Sequence, residues 1–596
     1  MKCYTDEALE LLEFFPSPSR YCSTSLVMGT LRCSSGLTIV LNGNCSKPCK
    51  NYNGLSRMHG CSKARVSIFT NFKNPCLRAF ELLAVHSAAT DLEIIDSPVA
   101  EETINPYPYP LSQPLRRRWC EDDRLWTASE IAEAINGEII RRAPSGTISI
   151  DSRTLVPGQW FFAIHGENFD GHDFVDESLA DKGCVGIIGN RVCGNWDRGF
   201  IRVEGDTLIA LEKLAKYARN RFDGILVGLT GSVGKTTTRS MISLALESLG
   251  RTHQTRGNFN YMVGVSLTLI GIPLDAKFAV VELGFGGLEG EILKMAQMCQ
   301  PSVRVLLNVR HSHMEHFTSL EDVARAKGEL LKEAQPGDIC VLNADDPLIM
   351  NVPVPAGVQK VLFGQKRGCD VRLALAESID GGRSVRVVLE SNVSAYRNLF
   401  PVPRESVHEL VEFKIPAPGL HLATNACAAA AVAASLGIPL AQIGESLSRF
   451  RPVPMRSDVQ VTEDGITIID DTYNANPTSM AAAINSLKTM QCMGKRVAIL
   501  GDMLELGAAE AEAHELVLKL CSDPCIGLVI LAGKRFTAAA EKVNFMRNHN
   551  VLCATDAESL LARMNELLAA GDVVLVKGSR GMQMEKVVDM IKAVSG

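Results

Sequence analysis

The segment Val227-Gly228-Leu229-Thr230-Gly231-Ser232-Val233-Gly234-Lys235-Thr236-Thr237-Thr238 places a glycine-rich turn between an apolar strand and an amphipathic helix. No other feature constrains the chain as much, because this order builds a phosphate cradle. Glycines in such a turn let backbone N–H groups point inward at a polyphosphate, and a helix opening near Thr236 adds the partial positive charge of its N-terminus. Lys235 reaches the outer phosphates, and a threonine hydroxyl holds Mg²⁺. Leu229 stands where the commoner Gly-x-x-x-x-Gly-Lys-[Ser/Thr] loop needs its first glycine, so this is the narrower Thr-Gly-Ser-x-Gly-Lys-Thr spelling. Glycines alone would also suit a plain turn; strand, lysine and helix together argue for the cradle.

A chain of 596 residues is too long for one core and divides by size into about three or four units. Hydrophobic content of 46% against 21% charged residues is that of an ordinary globular protein. A net charge of −6, with no basic stripe interleaved with aromatics, argues against a nucleic-acid partner. No run of 18 apolar residues offers a membrane span. The 18 cysteines form no Cys-x-x-Cys pairs; seven lie in the first 80 residues, a pattern of reduced thiols and not of a disulfide framework or zinc site.

From Phe14 to Phe80 there is no Asp or Glu, while Arg20, Arg32, Lys47, Lys50, Arg57, Lys63, Arg65, Lys73 and Arg78 sit among many Ser, Thr, Asn and Cys. That composition cannot bury a core and matches an organelle transit peptide, giving chloroplast as the expected destination. Asp6, Glu7, Glu10 and Glu13 depart from that pattern, and a tail with no address is the alternative. Residues 1–80 are therefore expected to be a disordered extension and 81–118, with its Pro-Tyr-Pro-Tyr-Pro run, a linker.

The remainder alternates strands and helices in three series. A unit over 119–222 opens with a threonine-capped helix at Trp126-Thr127-Ala128 and carries short strands at Ile148-Ser149-Ile150, Trp160–Ile164 and Val185–Ile188. The phosphate loop opens 223–450, where strands at Phe278–Leu283, Val303–Asn308 and Ile339–Asn343 alternate with helices. The expected product is a largely parallel sheet with ligands at its strand C-terminal ends. A third, Rossmann-like alternation fills 451–596, with strands at Thr467–Asp470, Arg496–Gly501, Gly527–Ala532 and Val573–Gly578. The fold class is α/β in three domains.

Polar groups at the ends of buried strands assemble sites in such sheets. Glu282 closes one strand and His313 follows another, and a carboxylate with an imidazole beside a phosphate loop suits Mg²⁺ held against a γ-phosphate. Singly, each reads as structural. Lys327, on a helix opened by Ser319-x-x-Asp322, reads from periodicity as a solvated lysine. Asn425, near the start of an alanine-rich helix, reads as either an adenine contact or a cap. Asp470-Asp471-Thr472-Tyr473-Asn474-Ala475-Asn476-Pro477 packs too many hydrogen-bonding side chains into one strand-to-helix turn to be a mere loop.

Taken with Glu282-Leu283-Gly284, Ala326-Lys327-Gly328-Glu329, Asn343-Ala344-Asp345-Asp346, Gly501-Asp502-Met503-Leu504-Glu505-Leu506-Gly507 and Lys577-Gly578-Ser579-Arg580, these motifs resemble the Mur ligases from about residue 125 onward. The Asp470–Pro477 and Gly501–Gly507 segments resemble the branch that adds a dipeptide, D-alanyl-D-alanine, to a UDP-N-acetylmuramoyl-tripeptide in peptidoglycan synthesis. The resemblance implies an ATP-dependent ligase, acting as a monomer through an acyl phosphate. It implies that Thr230, Gly231, Ser232, Val233, Gly234, Lys235, Thr236 and Thr237 bind ATP phosphates, that Asn425 touches adenine, and that Arg456 and Asp471 complete the nucleotide site from a mobile third domain. Thr236, Glu282, His313 and a carbamylated Lys327 would hold metal, with Lys235, Glu282, His313 and Lys327 catalytic. Ser152, Arg153 and Asp170 would dock the UDP-sugar, and Tyr473, Asn474, Asn476 and Lys577 the remaining substrate. Leu422 replaces an asparagine usual in the family, and Arg310, His311 and His316 sit where small residues are common. A folylpolyglutamate-type ligase or a catalytically silent paralogue are the rival readings.

Overall fold

The computed structural model describes residues 27–32, 38–43, 64–69 and 123–594, except 167–168, 193, 313, 394–407 and 562. The chain forms two compact units, Met1–Gln113 and Pro114–Gly596. In the first, Val27–Arg32, Thr38–Gly43 and Ala64–Phe69 pair in order as an antiparallel sheet. Most of the proposed transit peptide and the whole of the 81–118 linker lie outside the described residues.

The second unit contains three sheets. A five-stranded sheet runs Glu138–Arg141, Gly199–Arg202, Gly186–Gly189, Gln159–Phe162, Thr147–Ser149, parallel except for its first pair. Its opening helix, Ala128–Ile135, has the expected Thr127 cap, closed reciprocally by Glu130. The strands at 138–141 and 199–202 escape sequence reading because they are short.

The middle sheet has nine strands in the order Thr252–Gln254, Phe278–Glu282, Ile225–Thr230, Val303–Leu306, Ile339–Asn343, Gln359–Gly364, Val371–Ile379, Ser384–Ser391, Glu409–Ile415. The first seven are parallel and the last two add an antiparallel extension. Ile225–Thr230 is first in the chain yet third in the sheet, so later strands lie on both sides of it. That is a topological switch point, where a crevice opens at the strand C-terminal ends. The third sheet runs Asp458–Val461, Thr467–Asp471, Val573–Lys577, Arg496–Gly501, Ile526–Ala532, Val551–Ala554, again parallel except for its first pair.

One apolar cluster runs from Trp126, Trp160 and Leu211 to Leu226, Leu269 and Leu330, so the first two sheets share a core through the helix Thr207–Asn220. The fully buried Trp126 fastens the join, its Nε1 donating to Ile270 O at 3.0 Å. A buried indole must find such a partner, and here it lies in the neighbouring domain. The alanine-rich helix His421–Ser435 is almost wholly buried on the other face of the middle sheet, where small side chains permit close approach.

Candidate active site

The phosphate loop follows from its strand. All six residues of Ile225–Thr230 are buried, and the register pairs Leu229 with Glu282 and Thr230 with Leu306, so three strand ends converge at Gly231. A Cβ on Gly231 would lie 2.8 Å from the Leu307 Cβ. The loop is laced to its neighbour: Val233 N donates to Asn308 Oδ1, Asn308 Nδ2 to Val233 O, both at 2.9 Å, and Ser232 Oγ bonds the backbone of Arg310. Gly234, at φ +81°, turns the chain into the helix Lys235–Leu246, and Thr237 sits half-buried in its first turn. Lys235 Nζ donates back to Gly231 O at 2.9 Å, and burial lowers its pKa below the usual lysine range.

Glu282, 1% exposed, is held on both oxygens. Thr236 Oγ1 donates to Oε2 at 2.9 Å, Arg239 Nη1 to the same oxygen at 3.3 Å, and Asn260 Nδ2 to Oε1 at 2.8 Å. Thr230, expected at the phosphates, spends its hydroxyl on Leu283 O at 2.7 Å, which fixes the exit of the Glu282 strand. Beside the carboxylate, Asn260 Oδ1 is buried without a hydrogen-bond partner among the described residues.

Lys327 overturns the reading from periodicity. It is 4% exposed on Leu320–Lys332, and burial, reinforced by the charge of Lys235, lowers its pKa well below the usual range. Its ammonium makes no hydrogen bond or ion pair with the described residues. The Ser319 cap holds as expected, though Asp322 returns its carboxylate to Thr318 and Arg325 and does not close a box. Glu329, two residues on and 1% exposed, accepts from Gly290 N and Leu293 N and so caps the helix Glu291–Cys299. Sequence reading passed over that role because the capped helix is a separate element.

Asn425 is a turn inside its helix, not a cap. It is 8% exposed, and a Cβ on Gly234 would lie 2.7 Å from its Oδ1, so it flanks the phosphate loop. Leu422 is buried in the apolar cluster beneath that helix, where the missing asparagine would have been.

The third domain brings Arg456, whose guanidinium stacks 3.9 Å over the Tyr473 ring. Tyr473 hydrogen-bonds Asn258 of the middle domain, and the charge of Arg456 adds to the effect of burial on the Lys235 pKa, so the stack faces the phosphate loop. Lys577 is 2% exposed, its Nζ 2.6 Å from Asp471 Oδ2 and 2.8 Å from Asn474 O. It therefore holds the Asp471–Asn474 turn from within. Asn476 is likewise spent as a helix cap with Ser479, while Asn474, exposed, uses its Oδ1 on Ala475 N.

In the first domain burial would raise the pKa of Asp170, but the bonds it receives from the His172 backbone, the His172 ring and Arg191 outweigh that and depress it. Arg153 is 86% exposed and pairs with Asp151, and Ser152 offers its carbonyl to Lys182. These residues are not brought to the phosphate loop. His313 lies outside the described residues, and among the described ones no cluster of three or more His, Cys, Asp or Glu could hold a metal.

The residues present fit a polyphosphate with a divalent cation. A side chain at Gly231 would run into Leu307 and one at Gly234 into Asn425, so the loop keeps its close backbone path only with glycine there; Thr236 and Glu282 offer hard oxygens, and the orphaned Asn260 oxygen points to a missing positive partner.

Comparison with known proteins agrees with that arrangement. Family models match as Mur ligase middle domain over 229–433, as Mur ligase, glutamate ligase domain over 455–580, and as Mur ligase family, catalytic domain over 146–195. The UDP-N-acetylmuramoyl-tripeptide–D-alanyl-D-alanine ligase of Bacillus subtilis is 32% identical over 475 residues, covering 78% of this chain and 98% of that protein. The enzyme of the same name from Escherichia coli is 32% identical, with 78% and 97% covered. A crystal structure of MurF from Acinetobacter baumannii superposes with a TM-score of 0.67 at 28% identity, covering 79% of this chain and 99% of that one. MurF from Thermotoga maritima in complex with ADP gives 0.60 at 28% identity, with 75% and 97% covered. No helix among the described residues is long and apolar enough to cross a membrane. With such identity across nearly the full length of these relatives, the chain belongs to the Mur ligase family.

Proposed function

We propose that the protein joins D-alanyl-D-alanine to UDP-N-acetylmuramoyl-tripeptide with hydrolysis of ATP, giving the pentapeptide precursor of peptidoglycan. The observation that carries this reading is Glu282, fixed on both oxygens beside a phosphate loop in a chain that matches ligases of that name over nearly their whole length.

The tripeptide carboxylate attacks the γ-phosphorus of ATP, ADP leaves, and an acyl phosphate results. The dipeptide amine then attacks the acyl carbon, phosphate leaves the tetrahedral adduct, and the nitrogen loses a proton. Lys235 and the loop N–H groups stabilise charge on the transferring phosphoryl oxygens. Arg456, carried by the third domain, adds a second cation when that domain closes, and Asn425 steadies the nucleotide against Gly234. Thr236, Glu282, His313 and a carbamate on Lys327 would hold Mg²⁺, which when bound neutralises phosphate charge. Lys327 suits carbamylation because it is buried and pushed toward its neutral amine, the form that adds CO₂. The protein acts as a monomer in this reading.

Phosphate release with the tripeptide nucleotide, measured with and without D-Ala-D-Ala, tests the assignment. Release that needs both substrates is expected; release with a single amino acid in place of the dipeptide contradicts it. We further propose that residues 1–118 direct the chain to plastids, on the acid-free composition of 14–80. A fluorescent reporter fused behind them should enter plastids, and a cytosolic signal contradicts this. A chain starting at Arg118 should keep full ligase activity.

A further inference from the structure

Two neighbouring strands of the third domain send the chain to opposite faces of their sheet. Thr467–Asp471 and Val573–Lys577 run parallel, with Asp471 and Lys577 in register at their ends. The first leads to the helix Pro477–Thr489, whose Met480, Ile484 and Leu487 pack with Ile469. The second leads to Glu585–Val594, whose Val587, Val588 and Ile591 pack with Ile468 on the other face. Such a divergence opens a crevice at the strand C-terminal ends, the place where open α/β sheets take their ligands.

Arg580 crosses that crevice. It follows the Val573–Lys577 strand, and its Nη1 lies 3.9 Å from Met455 Sδ, while Met455 O accepts from Tyr473 N at 3.1 Å on the Thr467–Asp471 side. The turn at Met455–Ser457 is strained, with φ +65° and +53° at its two ends, and Ser457 N donates to Asp471 Oδ1 at 3.1 Å, which helps to hold it. Burial raises the pKa of the Tyr473 phenol, and the charges of Arg456 and Arg580 oppose that rise, so both guanidiniums act on one hydroxyl. Glu585 Oε1 fixes Arg580 Nη1 at 3.1 Å, yet the side chain stays 58% exposed, and its Nε and Nη2 make no hydrogen bond or ion pair with the described residues. That edge can take a carboxylate through two parallel N–H···O bonds. Lys577, at the strand end beside it, is committed to Asp471 and Asn474.

The substrates of the reaction proposed above carry anions with different needs. The triphosphate and the tripeptide carboxylate that attacks it meet at the phosphate loop. The dipeptide ends in a carboxylate that takes no part in the chemistry and has to be held apart from that charge. We propose that Arg580 binds this terminal carboxylate and so determines which acceptor the protein takes. The proposal rests on the ligase reading, and it fixes one end of the dipeptide while its amine stays free to reach the acyl carbon.

Steady-state kinetics of the full chain with D-Ala-D-Ala and with D-Ala-D-alaninamide, which lacks the carboxylate, test it. Wild-type protein should show a KM for the amide about tenfold or more above that for the acid. Arg580→Gln should raise the KM for D-Ala-D-Ala by about that factor and leave those for the amide, ATP and tripeptide within about twofold, so that the preference for the acid disappears. Arg580→Lys, a point charge without the planar fork, should keep part of the preference. A merely structural role would raise the KM for both acceptors alike. Arg580→Ala serves if Arg580→Gln fails to fold. A wild-type protein indifferent to the carboxylate, a variant that keeps the full preference, or an equal rise for both acceptors overturns the proposal and leaves the ligase reading standing. Wild-type protein without dipeptide-dependent phosphate release overturns the ligase reading itself, and the role of Arg580 with it.

Discussion

Asn425 and Gly234 touch across the mouth of the phosphate cradle: a Cβ on the glycine would stand 2.7 Å from the asparagine's Oδ1. Gly234→Ala therefore meets two penalties, the contact and the positive φ of 81°. The ATP KM should rise about tenfold or more. A wild-type ATP KM in Gly234→Ala would show that the loop tolerates a side chain and is not the cradle.

Lys577, which the family resemblance places at substrate, is bonded inside the Asp471–Asn474 turn. Its ammonium, 2% exposed, balances Asp471 and binds the Asn474 carbonyl. Lys577→Met leaves that carboxylate without its buried partner and should cost about 3 kcal/mol, read from chemical denaturation. A loss under about 0.5 kcal/mol, the size of an ordinary surface change, would mean that the pair does not hold the turn.

Glu130 ties its own helix cap to Arg124 and Arg221. Burial pushes its pKa up, but the bonds from Thr127, Arg221 and Arg124 prevail and hold it at about 2, against 4.5 in an open chain. A depressed carboxylate contributes stability above its unfolded value, lost as pH falls through the folded one. Glu130→Gln should thus be destabilised at pH 7, by about 1 kcal/mol once solvent screening is allowed for, with the gap to wild type narrowing below pH 4.5 toward 2. A gap that stays constant across that range would contradict the ionic account.

Elements of strong local pattern were legible in the chain: the loop at Gly231–Thr236, the Thr127 cap, and the apolar strands of each domain. Their periodicity and turn chemistry are local, so no tertiary information was needed. The edge strands Thr252–Gln254 and Val551–Ala554 were missed because three or four residues give no period to read. Site residues were legible as types but not as roles. Lys577 closes a buried strand and Asn476 stands in a polar turn, and both read as binding groups, yet each also has a partner that local pattern does not show, Asp471 across the sheet and Ser479 one turn along. The motif around Glu505 was legible, but its positive φ was not, since a left-handed glutamate is dictated by tertiary contacts.

Lys327 is the sharpest case, since helical period places it in solvent and the fold buries it to 4%. Burial, with the nearby Lys235, lowers its pKa well below the value of 10.5 usual for lysine. A base whose folded pKa is depressed costs stability at every pH where the unfolded chain is protonated, so removing it should not destabilise the protein near neutrality. Lys327→Met should therefore keep or raise the denaturation midpoint while activity falls by orders of magnitude. That split separates a functional lysine from a structural one. Carbamylation adds a further requirement, because the neutral amine adds CO₂, sheds a proton and becomes an oxygen anion beside Lys235. Formate or acetate supplied to Lys327→Ala should then restore part of the rate by returning an anion to the space. Wild-type rates in Lys327→Ala would rule out any catalytic part for this side chain, and an inactive Lys327→Ala that carboxylates leave unmoved would rule out the carbamate.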